Sequence, residues 1–402
     1  MLPFSLPHID QKIIDAVSDV LRSGWITTGP RTKELEKNLT AYCGNPATMC
    51  VNSATNGLEL MLRWFGVGEG DEVIVPAYTY CATANVVVHC GAKPVMVDVN
   101  KNDFNISVEN LSRAFTKNTK AIVPVDFAGF PCDYDAINTL VKNESSRFLP
   151  LTGEQEMLGR ILVLSDAAHS IGARYKTRIT GNQTDLSVFS FHAVKNLTTA
   201  EGGAIALNLP LPFDNIQLYE HLRVKSLHGQ TKDALAKTRR GEWRYDVVEA
   251  GYKCNMTDIQ AAIGLVELDR YESDILKKRK SVFGIYSEEL SKFSWAELPI
   301  YETPDKTSSF HLYPLRIRNI TEAQRDSIIK EIFDRDISVN VHFIPLPMLG
   351  FYMRAGYDIH DYPNAYNNYS REISLPVYYD LTEDQINAVI KAVVKSVETV
   401  IG

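Results

Sequence analysis

Short apolar runs alternate with helical stretches through the first half of this 402-residue chain. Six of the runs have the length and composition of buried strands: EVIVP (72–76), PVMVDV (94–99), AIVPVDF (121–127), ILVLSD (161–166), LSVFSF (186–191) and AIALN (204–208). In one intervening stretch, Leu58, Met61, Leu62 and Phe65 share a helical face. The alternation predicts an α/β fold whose mostly parallel sheet is covered by helices on both faces.

Amphipathic helices are also predicted outside these runs. One covers residues 9–21, a second begins near Arg31, and a third opens at Thr257 with the capping-box pattern Thr-Asp-Ile-Gln. The apolar stripe of the third helix is expected at Ile259, Ala262, Ile263 and Val266. We place a domain boundary at this helix, with residues 1–256 forming a large α/β domain and residues 257–402 a smaller α+β domain.

The segment SSRFLPLTGEQEMLGR (145–160) interrupts the strand–helix rhythm. Its polar composition indicates a surface insertion. A second interpretation is a rim of the substrate pocket, because long loops of α/β enzymes often carry function.

Composition narrows the function classes. The net charge of −7 argues against nucleic acid as the main partner, since phosphate backbones favour a basic face. The six cysteines lack CxxC spacing and a histidine cluster, so we expect reduced core thiols and no metal site. No secretory signal and no membrane-spanning run is evident, and we expect a cytoplasmic protein without a membrane partner.

The segment FSFHAVKNLTTAEGGAI (189–205) places Lys195 just after an apolar strand and before a turn of small residues. A charged amine without a partner is costly inside an α/β core. A covalent bond to a carbonyl removes that cost, and the usual carbonyl is pyridoxal 5′-phosphate (PLP), held as a Schiff base. Ser190 and His192 precede the lysine; Ser190 is a candidate to give a hydroxyl to the phosphate, and His192 to support the phosphate or the substrate.

Two further segments fit the same cofactor. In SDAAHSIGA, Asp166 ends a buried strand, where it would pair with a protonated pyridine nitrogen, and His169 would face the phenolic oxygen. The competing interpretation is a structural network around a buried aspartate. The pentapeptide 53–57 (SATNG) opens a helix whose free N–H groups would bind phosphate, although a simple N-cap has the same composition.

These segments, in this order, resemble the DegT/DnrJ/StrS family of sugar aminotransferases, which are PLP enzymes of the aspartate aminotransferase fold (fold type I). The resemblance covers nearly the whole chain, from SGWITTGP through NSATNG, DEVIVPAYTYCATAN, GAKPVMVDV, SDAAHSIGA, FSFHAVKNLTTAEGGAI and GYKCNMTDIQAAIG to VHFIPL and ISLPVYYDLT. It implies a seven-stranded sheet and a homodimer with shared active sites.

The resemblance also implies a role for individual residues. Lys195 matches the Schiff-base lysine, Asp166 the pyridinium partner, His169 the residue beside the phenolic oxygen, and Tyr80 the aromatic stacked on the ring. The remaining matches are Ser53, Ala54, Thr55, Asn56, Ser190 and His192 around the cofactor, Asn255 from the partner subunit, and Thr28, Gly29 and His342 at the substrate.

The implied reaction moves an amino group from L-glutamate to a nucleotide-linked ketosugar. Dehydratases among the relatives carry histidine at the position of Lys195, so the lysine favours amino transfer. A keto-cyclitol acceptor, or a PLP-binding regulatory protein without turnover, are the alternatives. Asp126, Phe130 and the segment 145–160 depart from the family pattern and leave the sugar open.

Overall fold

The computed structural model describes residues 1–231 and 244–402. Its strands are β1 (Ala47–Val51), β2 (Glu72–Pro76), β3 (Lys93–Val97), β4 (Thr119–Ile122), β5 (Leu162–Asp166), β6 (Arg174–Tyr175), β7 (Arg178–Ile179), β8 (Leu186–Ser190), β9 (Gly203–Leu207), β10 (Ala296–Glu297), β11 (Lys306–Thr307), β12 (Tyr313–Ile317) and β13 (Glu372–Leu375).

The helices alternate with these strands in the first half of the chain. They are α1 (Gln11–Ser23), α2 (Pro30–Cys43), α3 (Ala54–Trp64), α4 (Cys81–His89), α5 (Val108–Ala114), α6 (Tyr134–Asn143), α7 (Gly153–Leu158), α8 (Asn215–Lys225), α9 (Asp258–Asp269), α10 (Leu276–Leu290), α11 (Glu322–Phe333), α12 (Gly350–Arg354), α13 (Pro363–Tyr369) and α14 (Glu383–Ile401). A π-helical turn, Tyr271–Ile275, joins α9 to α10.

The main sheet has seven strands in the order β1-β9-β8-β5-β4-β2-β3. Only β9 runs against its neighbours, so the prediction of a mostly parallel α/β sheet is confirmed. Most of the buried strand residues and the helices packed on them form a large apolar core, while part of β1, β8 and β9 packs in a separate cluster with α2. Strand β1, ATMCV, was not among the six predicted runs, although all five of its residues are buried.

Strand β4 is shorter than the run 121–127 that predicted it. It ends at Ile122, because Pro124 lacks the N–H that a central strand must donate. The chain still follows β5 for a few residues, with the Asp166 N–H donating to the Pro124 carbonyl at 2.9 Å. It then turns through the 3-10 turn Phe127–Gly129.

A second apolar core consists largely of residues from Val282 to Val397. It lies between the antiparallel sheet β10-β12-β13 and helices α10, α11 and α14. Helix α9 belongs elsewhere, since it packs on α1 and α2 and shares a third cluster with Leu35 and Leu39. A division at residue 257 therefore separates α9 from the helices that it contacts.

Of the two features predicted for helix α9, the capping box is confirmed and the apolar stripe is only partly correct. The capping box at Thr257 is confirmed, with the Thr257 hydroxyl and the Gln260 side chain each bonding the other residue's backbone N–H. The predicted stripe of α9 is only partly correct: Ala262 is buried, whereas Ile259, Ile263 and Val266 are half-buried. The buried face instead carries Asp258, Ala261, Ala262, Gly264 and Glu267.

The segment 145–160 packs at the amino end of the sheet. The Lys120 ammonium, near the start of β4, donates to the Leu149 carbonyl, and the Gln155 amide donates to the Phe65 carbonyl at 2.9 Å. Most of its other residues are exposed. The segment is thus a surface element, and the rim interpretation is wrong because substrate pockets of such sheets open at the carboxyl end.

All six cysteines are free, and five are buried.

Gly203 of β9 provides a test of how closely β9 packs against β8 and the amino end of α3. A Cβ at this position would lie 2.6 Å from the Ala54 nitrogen and 2.7 Å from the Phe189 oxygen, and both are backbone atoms. We expect Gly203→Ala to lower the free energy of unfolding by about 1–3 kcal/mol, measured by urea denaturation. Gly68→Ala is the matched control because a Cβ there meets nothing within 4 Å. Equal stability of the two variants would contradict the packing.

Candidate active site

A cavity of about 390 Å³ opens at the carboxyl ends of β5 and β8. Ligands of open α/β sheets bind at this edge. Ten of the predicted site residues line the cavity: Ser53, Ala54, Thr55, Tyr80, Asp166, His169, Ser190, His192, Lys195 and His342.

Lys195 enters the cavity from the turn that follows β8. Its backbone N–H donates to the His192 carbonyl at 2.9 Å, which fixes the turn. Burial lowers the pKa of the Lys195 amine to about 8, and the Asp166 carboxylate acts in the opposite direction. A substantial fraction of the amine is therefore neutral near pH 8, and a neutral amine is a nucleophile and a base.

Asp166 is the last residue of β5, next to β8 in the sheet. Its carboxylate accepts hydrogen bonds from the Thr83 hydroxyl at 2.8 Å and from the Ala168 N–H at 3.2 Å. Burial raises the pKa of Asp166, whereas these two donors and the Lys195 amine lower it. Asp166 is thus an oriented buried acid that a cationic ligand would stabilise.

His169 lies beside this pair and is 6% exposed. Its Nδ1 atom is buried and has no hydrogen-bond partner among the described residues. Burial and the nearby Lys195 amine lower the pKa of His169 well below its ordinary value, so the ring is neutral. A buried polar atom without a partner is costly, which makes Nδ1 a contact that a bound ligand would satisfy.

His311 also lines the cavity and was missed by the sequence analysis. Its ring lies 4.4 Å from the ring of His169, and its Nδ1 is 2.8 Å from the Asn196 side-chain oxygen. The buried Arg279 guanidinium donates to the carbonyls of Phe310 and His311, which fixes the segment. The only available signal was a histidine in a polar stretch just before a strand.

The amino end of α3 forms another wall. The Ser53 hydroxyl accepts from the Asn56 N–H at 3.1 Å, so Ser53 is the N-cap. The first N–H groups of a helix have no partner within the helix, and here Ala54 and Thr55 supply them at the cavity. Gly203 lies so close to Ala54 that a side chain there would displace this end of the helix. The wall can bind an anion such as phosphate.

Four predicted residues do not line the cavity of their own chain. The Asn56 amide turns away and donates to Asn52 Oδ1 at 2.7 Å, because the third helical position faces back over the preceding turn. Thr28, Gly29 and Asn255 lie together elsewhere, with the Asn255 amide donating to the Thr28 hydroxyl at 2.6 Å. The Gly29 N–H donates to the Asp258 carboxylate at 2.8 Å.

The cavity mouth carries aromatic and polar groups. The Tyr80 side chain is 59% exposed, and its ring centroid lies 5.6 Å from that of Phe343. His192 Nε2 lies 3.6 Å from the Glu201 carboxylate. Ser5 and Phe4 line the cavity as well, and a single sequence gives no signal that its amino terminus would reach so far.

Two of the three departures from the family pattern, Asp126 and Phe130, lie outside the cavity lining. Asp126 is fully buried and accepts hydrogen bonds from the Ser170 hydroxyl at 2.6 Å and from the Cys132 N–H at 2.8 Å. The Lys306 ammonium lies 5.4 Å from the centre of the Phe130 ring. Both residues are held by protein groups, and neither lines the cavity.

The cavity fits PLP. It combines a lysine of lowered pKa, an oriented acid, a helix terminus for phosphate and the unsatisfied His169 Nδ1.

Over residues 1–231 and 244–402, no group of three or more His, Cys, Asp or Glu side chains is placed to hold a metal ion. In the same part of the chain, no helix has the length and apolarity needed to cross a bilayer.

Comparison with known proteins shows the family of this chain. The DegT/DnrJ/EryC1/StrS aminotransferase family model matches residues 7–394. Spr1654 of Streptococcus pneumoniae, assigned as a sugar aminotransferase, is 44% identical in its PMP form over all of both chains, with a TM-score of 0.96. Its PLP form is 43% identical, with a TM-score of 0.95 and full coverage of both chains.

Two relatives carry biosynthetic descriptions. PseC of Helicobacter pylori, an aminotransferase involved in the biosynthesis of pseudoaminic acid, is 28% identical with a TM-score of 0.87, and 99% of each chain is covered. The spore coat polysaccharide biosynthesis protein SpsC of Bacillus subtilis is 38% identical over 98% of this chain and 96% of its own length. This chain is a PLP-dependent aminotransferase and belongs to the DegT/DnrJ/EryC1/StrS family.

Proposed function

We propose that the enzyme transfers an amino group from L-glutamate to a ketosugar, specifically a nucleotide-linked keto-deoxysugar, in surface-polysaccharide or amino-sugar biosynthesis. The observation that carries the proposal is the Lys195 amine and the Asp166 carboxylate in one cavity. The descriptions of SpsC and PseC support the biosynthetic setting. Six free cysteines fit the reducing cytoplasm as the place of action.

The cavity residues divide the work of holding the cofactor. When bound, PLP supplies an electron sink for the carbanion that forms at the amino-bearing carbon. Lys195 would hold it covalently, Asp166 would pair with the ring nitrogen, and His169 Nδ1 would face the phenolic oxygen. The phosphate would lie on the N–H groups of Ala54 and Thr55, with hydroxyls from Thr55 and Ser190, and Tyr80 would cover the ring.

Lys195 also moves the proton of the reaction. Once its amine is released by the incoming amino donor, Nζ accepts the proton from the donor's α-carbon and later returns it. A pKa of about 8 suits this exchange, because the amine both takes up and gives away a proton near neutral pH. Thr83 and Ala168 keep Asp166 in place during the transfer.

A second subunit would complete the site. Thr28, Gly29 and Asn255 miss their own cavity yet cluster together, as expected if they face the cavity of a partner. The Lys253 ammonium donates to Asn255 Oδ1 and adds a cation to this cluster. Among the described residues lining the cavity, Lys195 is the one lysine or arginine, so the carboxylates of glutamate need a cation from elsewhere.

The lowered pKa of Lys195 gives a test of its role. We expect PLP to attach to the apoenzyme faster as pH rises, with a midpoint at about 8, because the neutral amine is the reacting form. Attachment would be quantified by borohydride reduction and mass spectrometry of the peptide containing Lys195.

Matched variants define the outcome of that test. Lys195→Ala should lose both attachment and transamination. Lys120→Met should retain them, because Lys120 is also buried but lies at the amino end of β4. A midpoint near the ordinary lysine value, or attachment to another lysine, would refute the assignment.

The substrates are tested with a panel. We expect glutamate to release 2-oxoglutarate and to support amination of at least one nucleotide-linked ketosugar, followed by mass spectrometry with ping-pong kinetics. Free keto-cyclitols serve as the comparison set. If a keto-cyclitol is aminated faster than every nucleotide-linked sugar, the proposed acceptor is wrong and the keto-cyclitol takes its place.

Sharing of sites between subunits is tested by mixing inactive variants. Lys195→Ala and Asn255→Ala subunits, unfolded together and refolded, should regain about a quarter of wild-type activity. The reason is that about half of the dimers are hybrids, each with one complete site. Lys195→Ala mixed with Asp166→Asn is the control, because both lesions then affect the cavity of their own subunit. Activity restored in neither mixture would argue against Asn255 acting across the interface.

A further inference from the structure

His342 is fixed on four sides at the cavity wall. Its Nδ1 lies 2.9 Å from the Ser374 hydroxyl, and its backbone N–H donates to Glu372 Oε2 at 3.1 Å. Its carbonyl accepts from the Tyr78 hydroxyl at 2.6 Å, and the Phe4 ring stacks on the imidazole with centroids 5.4 Å apart. Because His342 lines the cavity and its other polar atoms have partners, we take Nε2 as the atom that contacts a ligand.

The contacts of His342 continue into the protein. The Ser374 hydroxyl also bonds to Glu372 Oε1, so a carboxyl, a hydroxyl and an imidazole form one hydrogen-bonded chain. Glu372 and Ser374 are two residues apart on β13, which places both side chains on the same face of the strand. Both are completely buried. We call this chain the Glu372–Ser374–His342 relay.

The ring of His342 carries one proton. Burial and the Lys195 amine lower the pKa of His342 to about 3, so the imidazole is neutral at ordinary pH. A neutral imidazole donates from one nitrogen and accepts at the other. Which nitrogen carries the proton is decided by Ser374, the partner of Nδ1.

The protonation state of Glu372 sets the direction of the relay. An ionised carboxylate only accepts, so Ser374 donates to it and accepts from Nδ1–H, leaving a lone pair on Nε2. When Glu372 is protonated on Oε1, it donates to Ser374, Ser374 donates to Nδ1, and the imidazole proton is on Nε2. His342 therefore accepts a hydrogen bond in the cavity in the first state and donates one in the second.

We propose that Glu372 and Ser374 are positioning residues that set whether His342 Nε2 accepts or donates a hydrogen bond to the amino acceptor. The proposal rests on the proposed function only for the identity of that ligand, a polyhydroxylated ketosugar. Conversion between the states takes one proton from the cavity. The proton binds Nε2, the Nδ1 proton passes to Ser374, and the Ser374 proton passes to Glu372.

The surroundings of Glu372 place this conversion near neutral pH. Burial raises the pKa of Glu372 to about 8. The Ser374 hydroxyl, the His342 N–H and the positive charges of Arg325 and Arg316 act in the opposite direction and lower it. Arg325 lies on α11, Arg316 on β12, and the Tyr78 hydroxyl follows β2. Both arginines also pair with other carboxylates, Arg316 with Glu297 and Arg325 with Asp326.

The test reads the tautomer of His342 directly. Holoenzyme labelled with ¹⁵N-histidine would be followed by NMR between pH 6.5 and 9.5, and the His342 signals among nine histidines would be assigned by their loss in His342→Gln. We expect the proton on Nε2 at low pH and on Nδ1 at high pH.

Two variants separate the relay from a merely structural role. In Glu372→Gln, the amide oxygen faces the His342 N–H and the amide nitrogen donates to Ser374, so the proton should stay on Nε2 at every pH. In Ser374→Ala, the chain is broken and the tautomer should no longer follow pH. Ser396→Ala is the control, because Ser396 is a buried serine with no partner among the described residues. It should behave as the wild type.

A wild-type tautomer that is constant over this range, or that changes equally in Glu372→Gln, would overturn the proposal. The wild-type series decides the matter even if a variant fails to fold. With an acceptor identified by the substrate panel, Ser374→Ala should raise the acceptor KM about tenfold, whereas Ser396→Ala should leave it unchanged. Failure of every ketosugar would refute the proposed function, while the NMR result would stand.

Discussion

The structure depends on the cost of keeping an amine and a carboxylate out of water in the same cavity. Neither Lys195 nor Asp166 would be stable there as an isolated charge, and each shifts the pKa of the other towards its charged form. Burial wins for the lysine, whose pKa falls to about 8. The amine therefore keeps a reactive neutral fraction beside an oriented acid, which is the condition that a covalently bound cofactor requires.

The sheet supplies the geometry that this pair needs. Strands β5 and β8 are parallel neighbours, and Asp166 lies opposite Val188, two residues before the end of β8. Parallel neighbours bring their carboxyl ends to one edge, so the acid and the lysine-bearing turn face the same opening. Antiparallel β9 then returns past the same edge, and its first residue, Gly203, allows the amino end of α3 to close the cavity.

Much of this arrangement was predictable from local sequence, and the exceptions have physical causes. Lys195 and Asp166 could be identified because a charged residue at the end of an apolar strand is conspicuous in any sequence. The contact of the Asn56 amide with Asn52 was not predicted, because helix periodicity does not report such a hydrogen bond. His311, Phe4 and the relay of Glu372 and Ser374 are brought in from distant parts of the chain, and single-sequence patterns carry no information on such contacts. The stripe of α9 was only partly correct, since periodicity identifies a face without identifying what packs on it.

Charge in the cavity is confined to few groups. His169, His311 and His342 all lie close to Lys195, and burial keeps each imidazole neutral. Three neutral rings can bind and orient hydroxyl and carbonyl groups without adding positive charge beside the lysine, where it would further lower the pKa of the amine. Burial brings the pKa of both Lys195 and Glu372 to about 8, but Lys195 exchanges a proton with the substrate directly, whereas Glu372 does so only through Ser374 and His342.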